Sequence, residues 1–299
     1  DLRGEIARRE AAAGAADRAL ARTGVTQSVL GRLGDIAAGV AAEAARARTL
    51  GATGVEALAL TARAALGEAA ALLNTRHGGE YLFAGAHVDV PPVPDGAGIT
   101  GGAMAGAITA AVATLDPLNA PAVLAATATA ASDPLTTPFA ATLESLPGIT
   151  EPRRAVQVAD GERVTIGVLA NRDHTDEVAL SWGRELLRGL ATLAALTPAA
   201  AAQGAGYDTL LAGVAGGLSG AAAGLAAERG ALGAAEARVD ATRERHADTL
   251  VALRAQLGAV EEVDIAATTA SLRAVQTRLE ASYQATSMVA RLSLAAMLR

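Results

Sequence analysis

The sequence contains no cysteine and no lysine, and its aromatic residues are limited to one tryptophan, three tyrosines and two phenylalanines among 299 positions. The absence of cysteine excludes disulfide bonds, thiolate metal ligands and a cysteine nucleophile. All 25 basic residues are arginine, and 31 acidic residues give a net charge of −6. No arginine run exceeds two residues, whereas nucleic-acid binding requires clustered positive charge. We therefore expect no nucleic-acid partner.

Hydrophobic residues make up 51% of the chain, but alanine supplies most of the surplus. Alanine is the best helix former and buries little surface per residue. A chain of this length usually divides into two or more domains. The composition therefore predicts a mainly α-helical protein with long, thin packing and little β structure.

A membrane span is not predicted, because no 18-residue apolar run free of charge stands out and the alanine-rich segment from Met104 to Leu115 is too short. The start at Asp1 has neither a cleavable signal peptide nor an initiator methionine. We therefore expect no membrane partner, and we expect the chain to be a piece of a longer protein.

Residues with catalytic or metal-binding chemistry are scattered along the chain. None of the histidines has a second histidine or a carboxylate at ligand spacing on an evident helix face. The glycine-rich residues 96–102 lack the ending of a phosphate-binding loop, and Ser181 and Ser271 lack a histidine arrangement that would make a nucleophile. We therefore expect no catalytic, cofactor-binding or metal site, and no enzyme activity. The histidines are His77, His87, His174 and His246.

Apolar residues in the first quarter of the chain recur at helical spacing. Steps of four, three and four place one set on a single helix face: Val29, Leu33, Ile36 and Val40. A break follows at residues 51–54, and a second helix then runs to Leu73. Two helices joined by a short glycine-containing turn are typical of an antiparallel pair.

The middle of the chain is divided by prolines, so that only short elements fit within residues 86–147. In residues 153–168, two valine-rich runs flank Asp160-Gly161, which predicts a β-hairpin. A further helix is predicted after residue 173, with apolar side chains at steps of about four: Val178, Trp182, Leu186, Leu190 and Leu193.

A heptad series runs through the later part of the chain: Leu218, Leu225, Leu232, Val239, His246, Leu253 and Val260. Such a series predicts a coiled-coil-like packing edge. We interpret His246 as an irregularity in this seam, and the glycines in its first half predict fraying or close helix approach. A boundary is predicted at residues 261–264. The tail beyond it becomes more hydrophobic toward its end, RLSLAAMLR, and an exposed apolar stripe in such a tail indicates that another chain buries it.

Two motifs carry a family resemblance. The first is LLNTRHGGEYLFAG, residues 72–85, followed by Pro91 and Pro92. The second lies in the tail: Leu272, Gln276, Leu279, Ala281, Ser282 and Tyr283, followed by Leu292-Ser293-Leu294. In both motifs the chain resembles the bacterial flagellin superfamily, and in particular its hook-associated protein 3 branch, the hook–filament junction proteins.

The resemblance implies a hairpin-shaped subunit. Its N- and C-terminal segments would form a long antiparallel coiled-coil-like helical shaft, and a smaller α+β domain would be inserted and project outward. The divisions would be N-terminal shaft helices in residues 1–85, a variable projecting domain in residues 86–198 with the hairpin near 153–168, a C-terminal shaft helix in residues 199–263 and a C-terminal assembly helix in residues 264–299. A further segment would precede Asp1.

The function implied by the resemblance is that of a structural axial protein, exported by the flagellar type III route to the extracellular flagellum. Partners would be further copies of the chain and other axial proteins (hook, hook-associated proteins and flagellin), with an export chaperone as a candidate. The residues expected to mediate assembly are Leu272, Val275, Leu279, Tyr283, Val289, Leu292, Leu294 and Leu298. The turn from shaft to domain would use Gly78, Gly79, Tyr81, Phe83 and Gly85, with the glycines for unusual backbone angles and the aromatic rings as anchors.

Three functional classes remain open. The first is the axial protein, which is either the hook–filament junction protein or a filament-forming flagellin. The second, a secreted coiled-coil surface adhesin, predicts an aromatic-rich face, yet Phe139 and Trp182 are the clear aromatics of the central segment. The third, an enzyme domain inserted in a helical scaffold, predicts clustered titratable residues. We favour the junction protein.

Overall fold

The structure is a computed structural model that describes residues 2–50, 54–144, 152–173, 181–261 and 265–297. It is mainly helical, which confirms the predicted class. The helices are α1 (Leu2–Leu50), α2 (Val55–Leu73), α3 (Ala103–Ala113), α4 (Ala120–Ser132), α5 (Trp182–Ala194), α6 (Pro198–Ala201), α7 (Ala205–Glu261) and α8 (Ile265–Met297), with a 3-10 turn at Ile99–Gly101. The strands are β1 (Arg76–His77), β2 (Glu80–Tyr81), β3 (Ala155–Ala159) and β4 (Glu162–Thr165).

The chain divides into two compact units. One consists of Asp1–Arg9 and Asp248–Arg299, and the other of Glu10–Ala247. In the first unit, the Glu5 carboxylate accepts hydrogen bonds from Arg8 and, at 2.8 Å, from Arg9. These bonds hold the pKa of Glu5 below its ordinary value. The second unit contains α2 to α6, both hairpins and most of α1 and α7.

Within the second unit, α1 and α7 lie side by side and run antiparallel. Gln27 donates from Nε2 to the Arg229 carbonyl at 2.9 Å, and Arg229 donates back from Nε to the Gln27 side-chain oxygen at 3.3 Å. Asp17 pairs with Arg243 at 3.5 Å. Because the earlier residue of α1 meets the later residue of α7, the two helices must point in opposite directions.

Helix α5 is the centre of the second unit. Every residue from Trp182 to Ala194 is buried except Glu185, which is half-buried. The helix contacts α2, α3 and α4. The apolar face predicted from the helical spacing is confirmed from Trp182 onward, because its residues are buried. Val178, the first residue predicted on that face, lies outside the described residues.

Glycines let α5 and α7 approach closely. A Cβ atom on Gly224 would lie 3.1 Å from the Cβ of Trp182, and one on Gly217 would lie 2.6 Å from the Glu185 carboxylate. Gly220, in contrast, faces open space. Because α7 is continuous from Ala205 to Glu261, these glycines produce close approach and do not fray the helix.

The β3–β4 hairpin is antiparallel, with Val156 opposite Val164 and Gly161 in its turn at φ +77°. The register is irregular at Val158, and the Val158 carbonyl lies 2.7 Å from His246 Nε2. A bulge leaves a strand residue without a ladder partner, so that this carbonyl is available to α7. His246 is buried at its position in the heptad series, and the hairpin carbonyl is a partner that the series does not identify.

The early members of the heptad series in α7 are buried, and the last two are not. The first five members are buried: Leu218, Leu225, Leu232, Val239 and His246. Leu253 is half-buried, and Val260 is 77% exposed. The buried members have several partners, such as α5 at Leu218 and the hairpin at His246.

We expected every run long enough to span a membrane to contain charged residues, and α7 shows that this expectation is wrong. Residues 209–227 carry no charge, and an 18-residue window within Ala205–Val260 has a mean hydropathy of 1.6, with 33% of it buried. By length and composition this one helix of the described chain could cross a bilayer. Its alanines and glycines raise the hydropathy, while its larger side chains are buried in the second unit: Leu210, Leu211, Val214, Leu218 and Leu225. Length and composition alone do not assign it to a membrane.

Candidate assembly surface

The segment that leaves α2 is held by side chains of the first sequence motif. Asn74 donates from its amide to the Val93 carbonyl at 2.7 Å and accepts from the Val93 backbone N–H at 2.9 Å. The Thr75 carbonyl accepts from the Leu82 N–H at 3.0 Å. The motif therefore closes a loop in which the end of α2, the β1–β2 hairpin and the following proline segment are tied together.

The glycines predicted for this turn have the backbone angles that favour glycine. Gly78 and Gly79 form the β1–β2 turn at φ +60° and +87°, and Gly85 has φ +65°. A side chain would strain the backbone at each of these positions. Their role as an exit from a shaft stays a prediction.

The two aromatic residues of the motif have different surroundings. Phe83 is completely buried, and its ring meets that of Trp182 edge-on with the centroids 6.3 Å apart. The Tyr81 ring is half-buried, with the Arg76 guanidinium 4.8 Å above its centroid. Phe83 thus anchors the turn on α5, whereas Tyr81 covers the hairpin.

A charged cluster that the sequence analysis did not find ties this turn to α1. Glu80 accepts from Arg22 Nη1 at 3.1 Å and also from Arg154, which precedes β3. Arg22 Nη2 donates to the Tyr81 carbonyl at 2.8 Å. Arg22 is buried, and burial lowers its pKa, as does the nearby charge of Arg154. The partners are far apart in sequence, so no local spacing could reveal the cluster.

Helix α8 presents the strongest candidate for an interaction surface. Every side chain described between residues 266 and 291 is exposed. The exposed fractions of the predicted assembly residues are 60% for Leu272, 57% for Val275, 55% for Leu279, 69% for Tyr283 and 65% for Val289. A helix with this much apolar surface in water is typical of one that packs against another chain.

Four of the exposed apolar residues of α8 form a stripe, and Val289 lies outside it, about 100° from Leu272. Steps of three, four and four place Leu272, Val275, Leu279 and Tyr283 on one face, because each residue advances about 100° around the helix. Gln284 lies about 140° from Leu279 by the same geometry, on a mainly polar side of the helix that carries Arg273, Thr277, Glu280 and Arg291, together with Met288. We call the four apolar residues the α8 stripe.

Three further predicted assembly residues have side chains outside the described residues. Leu292 and Leu294 belong to α8, but their side chains lie outside the described residues, and Leu298 lies beyond the described end of the helix. Met288 is also 66% exposed and lies roughly 160° from Leu272, so that it is not part of the stripe.

Within the described ranges there is no group of three or more histidine, aspartate or glutamate residues arranged to hold a metal ion. Many described polar contacts pair an arginine with a carboxylate or a backbone carbonyl, as at Arg184, which donates to the Ala131 carbonyl and to both oxygens of Glu144. Such pairs fix tertiary contacts, and they provide neither a nucleophile nor a base.

Residues 216–298, which include most of α7 and all of α8, match the family model for the bacterial flagellin C-terminal helical region. This part of the chain is flagellin-like. The match supports the bacterial flagellin superfamily and a structural flagellar protein, as the resemblance implied. No curated protein and no solved structure matches the chain.

The flagellin-like region contains the whole α8 stripe. Flagellins are structural proteins that assemble into the extracellular flagellum. The match does not distinguish a junction protein from a filament subunit.

Proposed function

We propose that the protein is an axial structural subunit of the bacterial flagellum, specifically the hook–filament junction protein, and that it assembles through α8. The observation that carries the proposal is the exposed α8 stripe inside the flagellin-like region. A helix with no buried side chain between residues 266 and 291 gains little stability from its own chain. Its apolar face is explained if neighbouring subunits cover it.

The energetics favour assembly through this surface. Burying a leucine or valine side chain contributes about 1.5–3 kcal/mol when it starts fully exposed. The members of the α8 stripe start more than half exposed, so each would contribute about 1 kcal/mol or more on assembly. Because one subunit makes these contacts with several neighbours, the gain is repeated along a polymer and is absent in the free subunit.

In the same proposal, the antiparallel α1 and α7 form the shaft as a coiled-coil-like pair, and residues 86–198 project from it as an inserted α+β domain. The antiparallel contacts at Gln27 and Asp17 support the shaft. The contacts of the turn support residues 72–85 as the place where the chain passes from the shaft to the projecting domain. Glu80 and Phe83 hold this turn against α1 and α5 where the chain leaves α2.

The junction role is favoured over the filament role by the two sequence motifs, LEASYQ in α8 and YLFAG after β1. A junction protein would bind hook, other hook-associated proteins and flagellin, would be exported by the type III route and would need a chaperone to cover α8 before export. A filament-forming flagellin is the second candidate, and the family match of residues 216–298 favours it equally.

Electron microscopy of the purified full-length protein, alone and with isolated hooks, tests the proposal. The junction role predicts a protein that stays monomeric alone and caps or extends hook ends by a short zone. Long filaments formed by the protein alone would contradict the junction role and support the role of a filament-forming flagellin. A protein that neither polymerises nor binds hooks at high concentration would overturn both.

A further inference from the structure

A cavity of about 250 Å³ lies between α1 and the β3–β4 hairpin. Ala15 and Ala19 on α1 and Ile166 after β4 form part of its wall. Larger side chains at the two alanine positions would fill the space, so the cavity exists because α1 presents small residues toward the hairpin.

Three arginines line the same cavity: Arg18 and Arg22 from α1, and Arg154 from the hairpin side. Glu80 is the carboxylate that binds two of them. Three guanidinium groups and one carboxylate leave two positive charges in excess at this place. The whole chain, in contrast, has a net charge of −6.

The hydrogen-bonding capacity of these arginines is not used up. A guanidinium has five N–H donors. Among the described residues, Arg22 uses its two Nη groups on Glu80 and the Tyr81 carbonyl, Arg154 uses Nη1 on Glu80, and Arg18 donates to no oxygen. Donors of Arg18 and Arg154 are therefore available to a bound group.

The electrostatics of Arg22 agree with an uncompensated cluster. Burial lowers the pKa of Arg22, and the neighbouring charge of Arg154 lowers it further, while Glu80 acts in the opposite direction. Another negative charge in the cavity would relieve the repulsion between the two arginines.

We propose that this cavity binds a doubly charged oxyanion, namely a phosphate or sulfate group, held by Arg18 and Arg154 beside the Arg22–Glu80 pair. Arginine binds such groups through two parallel hydrogen bonds and is the preferred residue for them. A water molecule occupies about 30 Å³ in the liquid, so a cavity of about 250 Å³ has room for an oxyanion with several waters. A terminal phosphate on a larger molecule presents the same chemistry.

The three arginines differ in role, and Arg18 is the exposed one. Arg22 and Arg154 tie the turn at Glu80 to α1 and to the hairpin. Arg18 takes no part in this tie, although it lines the same cavity. The side chain of Arg18 can therefore be replaced without removing a described contact, which makes it the best position for a test.

The test is isothermal titration calorimetry of the full-length protein with inorganic phosphate at pH 7, together with thermal unfolding in sodium phosphate and in sodium chloride at equal ionic strength. In the calorimeter we expect saturable binding of phosphate. In thermal unfolding we expect the midpoint temperature to be about 3 °C higher in phosphate, at a concentration of roughly ten times Kd, than in chloride. In Arg18→Gln, Kd should rise by about tenfold or more, while the midpoint in chloride stays unchanged.

Arg46→Gln is the matched control, because Arg46 also lies on α1 and its exposed pair with Glu43 contributes little. It should bind phosphate like the unaltered protein. Glycerol 3-phosphate in a parallel titration separates the sources: equal affinity indicates a terminal phosphate group as the occupant, and weaker binding indicates a free anion. No binding of either ligand, or equal binding by Arg18→Gln, would overturn the proposal.

Discussion

The Glu80 carboxylate accepts a hydrogen bond at 3.1 Å from Nη1 of Arg22, which lies 58 residues earlier in the chain. The Arg22 side chain is 10% exposed, whereas the Glu80 side chain is 36% exposed. The guanidinium of Arg22 is therefore nearly buried, while the carboxylate of Glu80 remains partly in contact with solvent. It joins the turn after α2 to the middle of α1.

Replacing Glu80 by glutamine should destabilise the second unit by about 2 kcal/mol. Removing one partner leaves the charge of Arg22 buried without its counter-charge, which costs about 3–5 kcal/mol in a fully buried pair, and the partial exposure of Glu80 reduces that cost. Urea unfolding followed by circular dichroism measures the effect. Glu43→Gln, which breaks an exposed pair with Arg46 on one helix, is the control and should change stability by less than about 0.5 kcal/mol. Equal effects of the two substitutions would contradict the structural role of Glu80.

Helix spacing made much of this fold predictable from the sequence. The 3–4 pattern of Val29, Leu33 and Ile36 defines a face of α1 that is buried, and α1 and α2 are separate helices, as predicted. Asp160-Gly161 marks the turn of the β3–β4 hairpin. These signals are local, because the residues that produce them are neighbours in the chain.

Contacts between distant segments were not predictable in the same way. The Arg22–Glu80–Arg154 cluster joins three elements, and no spacing in the sequence links them. The heptad pattern gives the period that buries His246, but it does not identify the Val158 carbonyl as a partner of the ring. On α8 the sequence identified the α8 stripe, and the structure adds that its four members are more than half exposed.

Gly183 near the start of α5 should not tolerate a side chain. A Cβ atom there would lie 1.8 Å from the Ala170 carbonyl oxygen, so Gly183→Ala forces the backbone apart and should cost about 3 kcal/mol. Gly220→Ala in α7 is the control, because its Cβ would meet nothing within 4 Å, and in a helix interior it should stabilise by about 0.5–1 kcal/mol. Denaturant midpoints of the two variants should move in opposite directions. A shift in the same direction would show that the α5 contact is not as tight as described.

Tyr207 at the start of α7 is buried, and its hydroxyl has no hydrogen-bond partner among the described residues. Leaving a buried hydroxyl unpaired costs about 1–3 kcal/mol, so Tyr207→Phe should raise the free energy of unfolding at pH 7 by about 1 kcal/mol. Tyr283→Phe, at a tyrosine that is 69% exposed, should change it little. A loss of stability in Tyr207→Phe would mean that the hydroxyl has a partner, such as a water molecule.

The same residue predicts a dependence on alkaline pH. Burial raises the pKa of Tyr207 above its ordinary value of 10.0, and Asp208 raises it further. The folded state therefore keeps the phenol neutral while the unfolded state ionises. The stability from this group is fully present below pH 10 and is lost as the pH rises through the folded-state pKa. Urea unfolding between pH 9 and 11 should show a smaller loss in Tyr207→Phe than in the unaltered protein or in Tyr283→Phe. Parallel curves for all three proteins would contradict the shift.

The last prediction concerns α8 and decides whether its exposed stripe has a function. Leu279→Asp replaces a side chain that is 55% exposed, so the free energy of unfolding of the monomer should change by less than about 0.5 kcal/mol. Assembly should be blocked, because a carboxylate would have to be buried in the polymer at a cost of several kcal/mol. Leu292→Asp is expected to act in the same way from the sequence pattern of the tail.

Gln284→Asp is the matched control for this experiment. It adds the same charge to the same helix five residues away, on the mainly polar side about 140° from Leu279. Circular dichroism should show equal helix content in both variants, while sedimentation and electron microscopy with isolated hooks should show incorporation of Gln284→Asp only. Motility assays of cells carrying each variant give the corresponding test in vivo. Normal incorporation of Leu279→Asp would remove the α8 stripe as the assembly surface. Loss of incorporation in Gln284→Asp as well would mean that the polymer encloses α8 on all sides, since the polar face would then be buried along with the apolar one.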